Sequence, residues 1–304
     1  MLAKLNSTIL RAACAFREGV ARRWPGIGDR FKGARAVYDA AFGLFLRTAS
    51  SDGMMLVEVD GSRMLLPKKY AGWYAVAGYE KLTFPRFKDA VKPGAVVVDV
   101  GAHVGGYALA ASRLAGPSGR VFALEPDPEN FALLEKNLGL NRRANVVALR
   151  VAAGARPGKR SFNLADSSDS NSFYAHPMAG RKAVVEVDCV TVDDVARGAK
   201  VDVVKIDVEG AEPEVLDGMR ETLEGNPGLV LFVEFNPCCL RLGGHDPRAL
   251  LERLRGLGFS MTLLDERAGV ARPFEPSSDF PGDRPEFYAT LHCARRTACA
   301  APPS

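Results

Sequence analysis

Between Gly94 and Cys293, short runs of β-branched and apolar residues alternate with longer segments whose apolar positions recur every three to four residues. VVVDV (96–100), VFALEP (121–126), NVVALRV (145–151), VDVVKID (201–207), LVLFVEF (229–235), FSMTLLD (259–265) and FYATLHC (287–293) read as seven strands. The intervening helical stretches run from Val104 to Leu114, from Asp127-Pro128 to Leu140, from Ala211 to Leu223 and from Pro247 to Leu257. Strands that alternate with helices predict an α/β fold built on a mostly parallel sheet with right-handed crossovers. Residues 159–188 interrupt the alternation, because KRSFNLA and KAVVEVD flank the polar stretch DSSDSNSFYAHPMAG. They read as a hairpin inserted at the carboxyl edge of the sheet, with a loop that either closes over a ligand or shapes its pocket, or is simply a mobile surface loop.

Upstream, the pattern differs. Residues 1–47 carry apolar positions at helical spacing among nine basic and three acidic side chains, a local charge of +6. Met54–Leu66 alternates around Asp60-Gly61, the two-residue signal of a hairpin turn. The division expected is a basic helical segment and β-ribbon cap over 1–74, a catalytic domain over 75–293 and a tail over 294–304. The whole chain, with 40 basic and 36 acidic residues, has a formal charge of only +4, so no nucleic-acid partner is expected. Six scattered cysteines form no metal-binding spacing, and no apolar run reaches the ~20 residues that span a bilayer. A cytoplasmic protein is expected, with residues 1–47 either packed on the domain or lying on an anionic membrane surface. The oligomeric state is left open.

The chemistry starts at the first strand. VVVDVGAHVGG (96–106) runs from a buried strand ending at Asp99, through Gly101, into a helix preceded by Gly105. Glycines there let a ligand and a helix N-terminus approach the backbone. The second strand ends in Glu125, where an acid can accept hydrogen bonds from a ribose diol. Together they imply a nucleoside-containing ligand. The second glycine of GxGxxG is replaced by His103, and Asp99 would repel a diphosphate. S-adenosylmethionine, which has an ammonium and a sulfonium but no phosphate, suits the turn better.

Tyr79-Glu80, VVVDVGAHVGGYALAAS, ALEPDPENFALLEKN, VKIDVEGAEPEVLDG and LVLFVEF together resemble the FkbM-type family of S-adenosylmethionine-dependent methyltransferases, over about residues 75–265. The resemblance implies a class I methyltransferase, Rossmann-like, with a seven-stranded mostly parallel sheet in the order 3-2-1-4-5-7-6 and the last strand antiparallel. It implies S-adenosyl-L-methionine as cofactor and O-methylation of a hydroxyl on a small molecule, sugar or lipid-linked acceptor. The cofactor positions that go with it are Tyr79, Glu80, Asp99, Gly101, Ala102 and His103, where such proteins often have Asn. Gly105, Glu125, Pro126 and Asp207 complete them, with Ser172 or Asn171 of the insertion reaching the adenosine.

Asp207 and Glu209 follow the fourth strand and Glu234 ends the fifth, on the edge where open α/β sheets bind ligands. These three are the catalytic candidates, since an acceptor hydroxyl must lose its proton during transfer. Glu212 and Glu214 read instead as acids favoured in a helix's first turn. Asp207, Glu234 and Asn236 resemble the set that holds a divalent metal in catechol-type O-methyltransferases. Asn236, however, lies two residues past Glu234 rather than adjacent, and no metal is expected. His245 and His176 read as loop histidines. The other functions weighed are an NAD(P)-dependent oxidoreductase and a non-catalytic S-adenosylmethionine-binding module.

Overall fold

The computed structural model describes residues 8–9, 50–51, 53–75, 80–166, 171–175, 180, 182–280 and 287–295, and these fall into two compact units. The basic segment 1–47, apart from residues 8–9, lies outside the described residues, as do Tyr79 and His176.

The first unit holds residues 1–81 and 139–142. Strand β1 (Ser50–Ser51) pairs with β2 (Met54–Val59), which pairs antiparallel with β3 (Ser62–Pro67). Asp60 and Gly61 both take left-handed φ, 47° and 75°, as a tight two-residue hairpin turn requires. Alternation then buries Met55, Val57 and Val59 on one strand and Met64 and Leu66 on the other. Helix α1 (Lys68–Ala75), which the sequence pattern does not predict, buries Tyr70 and Tyr74 one turn apart.

The second unit, residues 82–138 and 143–304, is built on the parallel sheet. Its described strands are β4 (Val96–Val100), β5 (Arg120–Leu124), β6 (Val146–Leu149), β10 (Val203–Ile206), β11 (Val230–Phe235), β12 (Phe259–Asp265), β13 (Val270–Phe274) and β14 (Ala289–Arg295). They lie in the order β13-β12-β14-β11-β10-β4-β5-β6, and β14 runs antiparallel to both neighbours. The seven expected strands take the positions 3-2-1-4-5-7-6, and β13 adds an eighth at the edge beside β12. Its Pro273 and polar flanks disguise it in the sequence, and an edge strand tolerates both.

Helices cover the two faces: α2 (Thr83–Ala90), α3 (Gly106–Ala115), α4 (Pro128–Leu140), α5 (Val192–Ala196), α6 (Glu212–Asp217), α7 (Arg220–Gly225), α8 (Pro237–Leu242), α9 (Pro247–Gly256) and α10 (Pro276–Asp279). The single helix expected over 211–223 is two. Gly218 is pressed so closely on the Gly154 carbonyl that a Cβ would come within 2.1 Å of it, and the Asp193 carboxylate caps α7 through the N–H groups of Glu221 and Thr222.

The insertion is a small sheet of its own, with β7 (Ala152–Ala153), β9 (Ala183–Val190) and β8 (Gly158–Leu164) in that order and β8–β9 antiparallel.

Strand alternation decides what the site receives. Val98, Val100, Val204, Ile206, Leu231 and Val233 point to one face and join the main core with Leu216, Leu251 and Leu254. Burying each such side chain is worth about 1.5–3 kcal/mol. The opposite face therefore receives Asp99, Lys205, Phe232 and Glu234, and Lys205 is the register partner of both Asp99 and Phe232. Below these polar groups an aromatic stack of Phe87, Tyr107, Phe232 and His292 closes the face, with ring centroids 4.7–5.5 Å apart.

Candidate functional site

The site begins where β4 ends. Gly101 has φ 82°, and a Cβ there would lie 1.9 Å from the Asp207 carbonyl oxygen, so only glycine lets the two strand ends meet. The N–H groups of Gly101 and Ala102 both donate to the Leu124 carbonyl, at 3.0 and 2.9 Å, locking the turn to β5. His103 also has left-handed φ, 50°, a conformation in which Asn and His are enriched, and its N–H donates to Glu125 Oε2 at 2.8 Å. Gly105 (φ 94°) caps α3 against Leu134.

Glu125, 5% exposed, also accepts the Asp127 N–H on Oε1 at 2.9 Å. Burial pushes its pKa up to about 7 against those two N–H donors. These N–H groups and the Asn130 side chain fix the carboxylate in place. Pro126 is half-buried beside it, and Asp127 Oδ1 caps α4 through the N–H groups of Glu129 and Asn130.

Asp99 is completely buried, yet neither carboxylate oxygen has a hydrogen-bond partner. Desolvation raises its pKa to about 6; the Lys205 charge opposes this, Asp207 adds to it, and the Ala108 N–H exerts a small pull from outside hydrogen-bonding geometry. An unsatisfied buried carboxylate at the switch point of the sheet is what a cationic ligand group needs, and nothing in the turn offers a cradle for a diphosphate. The residues fit S-adenosylmethionine, whose ammonium would face Asp99 and whose ribose would face Glu125.

On the other side of the switch point, carboxylate oxygens of Asp207, Glu209 and Glu234 lie within 4.8 Å of one another. Glu209 sits at φ 54°, an uncommon conformation, and the adjoining Gly210 (φ 105°) presses on the Cys239 carbonyl. The Cys239 thiol donates to Glu209 Oε2 at 3.3 Å. Glu212 folds back to accept the N–H groups of Val208 and Gly210, which fits its expected capping role; burial lifts its pKa to about 7. Glu234 Oε2 is inaccessible and unpartnered, and burial together with Glu209, Asp207 and Glu212 raises its pKa well above the ordinary value. Lys205, 4% exposed, donates to Asp207 Oδ2 at 2.6 Å and so already supplies a cation there. Asn236 caps α8 by accepting the N–H groups of Cys238 and Cys239, so its amide faces that helix, and no metal ion is assigned to the acids.

Two residues of the insertion have structural partners. Ser172 is buried and its hydroxyl donates to the Glu209 carbonyl at 2.7 Å, bracing the strained loop. Asn171 bridges the Ala165 N–H and Asp127 Oδ2, anchoring the insertion beside Glu125. Glu80 (φ 44°) belongs to the first unit, and Tyr79 lies outside the described residues. Glu214 is more than a helix-start acid, because Arg160 and the Tyr174 hydroxyl both donate to it and His245 Nε2 is 3.7 Å away.

The buried acids set a pH dependence. Asp99, Glu125, Glu212 and Glu234 hold protons in the folded chain at pH values where the unfolded chain has released them, so stability falls as pH rises from about 4 through 7. One group shifted by two units is worth about 3 kcal/mol. Thermal unfolding of the ligand-free protein is expected at a higher temperature at pH 5.5 than at pH 8, with S-adenosylhomocysteine narrowing the gap. A melting temperature that climbs towards pH 8 would contradict the burial of these acids.

Residues 99–261 match the family described as the Methyltransferase FkbM domain. Hexuronic acid methyltransferase AglP of Haloferax volcanii is 27% identical over 200 residues, covering 59% of this chain and 74% of its own. The 2-O-methyltransferase NoeI of Sinorhizobium fredii is 27% identical over 180 residues, 54% of this chain and 72% of its own. Methyltransferase sdnD of Sordaria araneosa is 30% identical over 157 residues, 41% of this chain and 60% of its own. Among solved structures, the methyltransferase FkbM of Methylobacillus flagellatus aligns over 86% of this chain and 60% of its own, with 15% identity and a TM-score of 0.41.

Proposed function

The chain belongs to the FkbM family of S-adenosylmethionine-dependent methyltransferases, and from that premise we propose that it methylates a hydroxyl oxygen of a sugar or other small-molecule acceptor. The observation that carries the reading is the division of labour along one sheet edge. Asp99 and Glu125 stand on the cofactor side, and Asp207, Glu209 and Glu234 crowd together next to them. Of the relatives, a hexuronic acid methyltransferase supports a sugar-like acceptor and a 2-O-methyltransferase supports transfer to oxygen. A lipid-linked sugar belongs to the same proposal. Among the described residues no helix is long and apolar enough to cross a membrane.

S-adenosylmethionine supplies an electrophilic methyl carbon on a sulfonium. The protein's part is to seat the acceptor oxygen in line and to take its proton. Burial and its acidic neighbours push Glu234 towards its protonated form, which disfavours it as the group that takes a proton. Asp207 is committed to Lys205. Glu209 is therefore assigned as the base. Its strained backbone is braced by Ser172, and its carboxylate is oriented by the Cys239 thiol. Glu209 would take the acceptor proton during transfer of the methyl group.

The test is incubation with deuterated-methyl S-adenosylmethionine and a panel of hexuronic acids, neutral hexoses, nucleotide sugars and lipid-linked sugars, with products read by mass spectrometry. A labelled O-methyl sugar supports the reading, and label found solely on amines overturns it. Binding of S-adenosylhomocysteine without turnover of any acceptor would favour a non-catalytic module. Glu125→Ala is expected to weaken S-adenosylhomocysteine binding by ~1.5–3 kcal/mol, the scale of charge-assisted hydrogen bonds. Calorimetry that finds NAD the tighter ligand would reject both the assignment of Glu125 and that of the cofactor.

A further inference from the structure

Lys205 is a lone cation in the middle of a central parallel strand, where VVKI is otherwise apolar. A buried lysine there has to be held by charge. Its Nζ donates to Asp207 Oδ2 at 2.6 Å and lies 4.6 Å over the Tyr107 ring, and its backbone is in register with Asp99 on β4 and Phe232 on β11. Strand alternation puts the Asp99, Lys205 and Glu234 side chains on one sheet face. The Lys205 charge acts on Asp99 and Glu234, and one of its N–H groups donates to Asp207. One ammonium thus sits between the cofactor side and the acceptor side of the site.

We propose that Lys205 is a positioning residue that acts through Asp99, keeping that buried carboxylate ionised so that it can receive the ammonium of the cofactor. The proposal rests on the reading of Asp99 as the group that faces that ammonium. Asp99 has no hydrogen-bond donor to hold its charge, so the neighbouring ammonium is the interaction that opposes desolvation most strongly.

The charged and titratable groups around the pair are few enough to separate. From the loop after β10 come Asp207, which raises the Asp99 pKa, and Glu209. Glu234 faces the pair from β11, and Glu212, at the start of α6, acts on Glu234. On the far side of Phe232, β14 presents His292, whose pKa is lowered by burial and by Arg86 of α2. Just after β5, burial pushes the Glu125 pKa up to about 7, but the groups that act on it are Asp127, Asn130 and the His103 N–H. Its contribution to ligand binding is the same whether or not Lys205 is present.

The experiment is isothermal titration calorimetry of S-adenosylhomocysteine against the full chain from pH 5 to 8.5, for the wild type, Lys205→Met and Lys205→Arg. Its amino group stays protonated over most of that range. The wild type should lose affinity on the acid side of pH 6. In Lys205→Met the midpoint should move up by at least about one pH unit, which makes the complex about tenfold weaker at pH 5 and about twofold weaker at pH 7. Affinity should return by pH 8.5, which a merely damaged site would not do. Lys205→Arg should keep the wild-type midpoint. If the methionine variant does not fold, Lys205→Gln keeps a donor to Asp207 without the charge and reads the same midpoint. A midpoint unmoved on loss of the Lys205 charge overturns the proposal and leaves the cofactor assignment intact. Absence of binding by the wild type at every pH overturns the cofactor assignment itself.

Discussion

Gly101→Ala is expected to destabilise the protein by about 2–5 kcal/mol and to abolish measurable S-adenosylhomocysteine binding. A left-handed backbone costs a non-glycine residue about 1–2 kcal/mol. The contact is worse than the backbone term, because the new methyl would sit 1.9 Å from the Asp207 carbonyl oxygen and one strand end would have to shift. Overpacking of that kind costs about 1–3 kcal/mol more. Neither end is free to yield: Gly101 and Ala102 donate to the Leu124 carbonyl, and the Asp207 N–H donates to the Val100 carbonyl. Relaxation would therefore displace Asp207 and the Glu209 loop behind it, coupling the cofactor turn to the catalytic acids. Urea denaturation and calorimetry read the two effects separately. Wild-type stability together with wild-type affinity in this variant would show that the two strand ends are not in contact.

What could be read from the sequence was set by local rules. Asp60-Gly61 demands a hairpin whatever surrounds it, and the strands of the parallel sheet announce themselves because both faces are covered and each becomes a short apolar run. Asp99, Gly101 and Glu125 were legible for the same reason, since a strand, a turn and a second strand in order leave them on one edge. The elements that escaped depend on distant partners. The break at Gly218 follows from contact with Gly154 and capping by Asp193, neither of which is adjacent in sequence. Ser172 became a brace for Glu209 across 37 residues, and Glu214 a partner for Arg160 across 54. No helical or strand period carries that information. Lys205 did leave a signal, a single charge inside VVKI, but its meaning required the register that sets it beside Asp99.

Glu209→Gln is expected to reduce turnover by ~10²- to 10⁴-fold, the contribution typical of a positioned general base, while changing S-adenosylhomocysteine affinity little. Glutamine keeps the size and one acceptor oxygen but cannot take a proton. Glu234→Gln should behave differently, because it imitates a carboxylic acid that is already protonated. Burial and three acidic neighbours push Glu234 towards that form. Its loss should therefore be less than about tenfold near pH 7 and should become smaller still as pH falls. Asp207→Asn removes the partner of Lys205, so it should disturb both turnover and cofactor affinity. Steady-state kinetics on an acceptor identified by the labelling screen, run across pH for the three variants, separates these patterns. Full turnover in Glu209→Gln alongside a dead Glu234→Gln would transfer the base to Glu234. It would also mean that Glu234 is ionised when the acceptor is seated, so that the crowding of the three carboxylates favours its taking the acceptor proton.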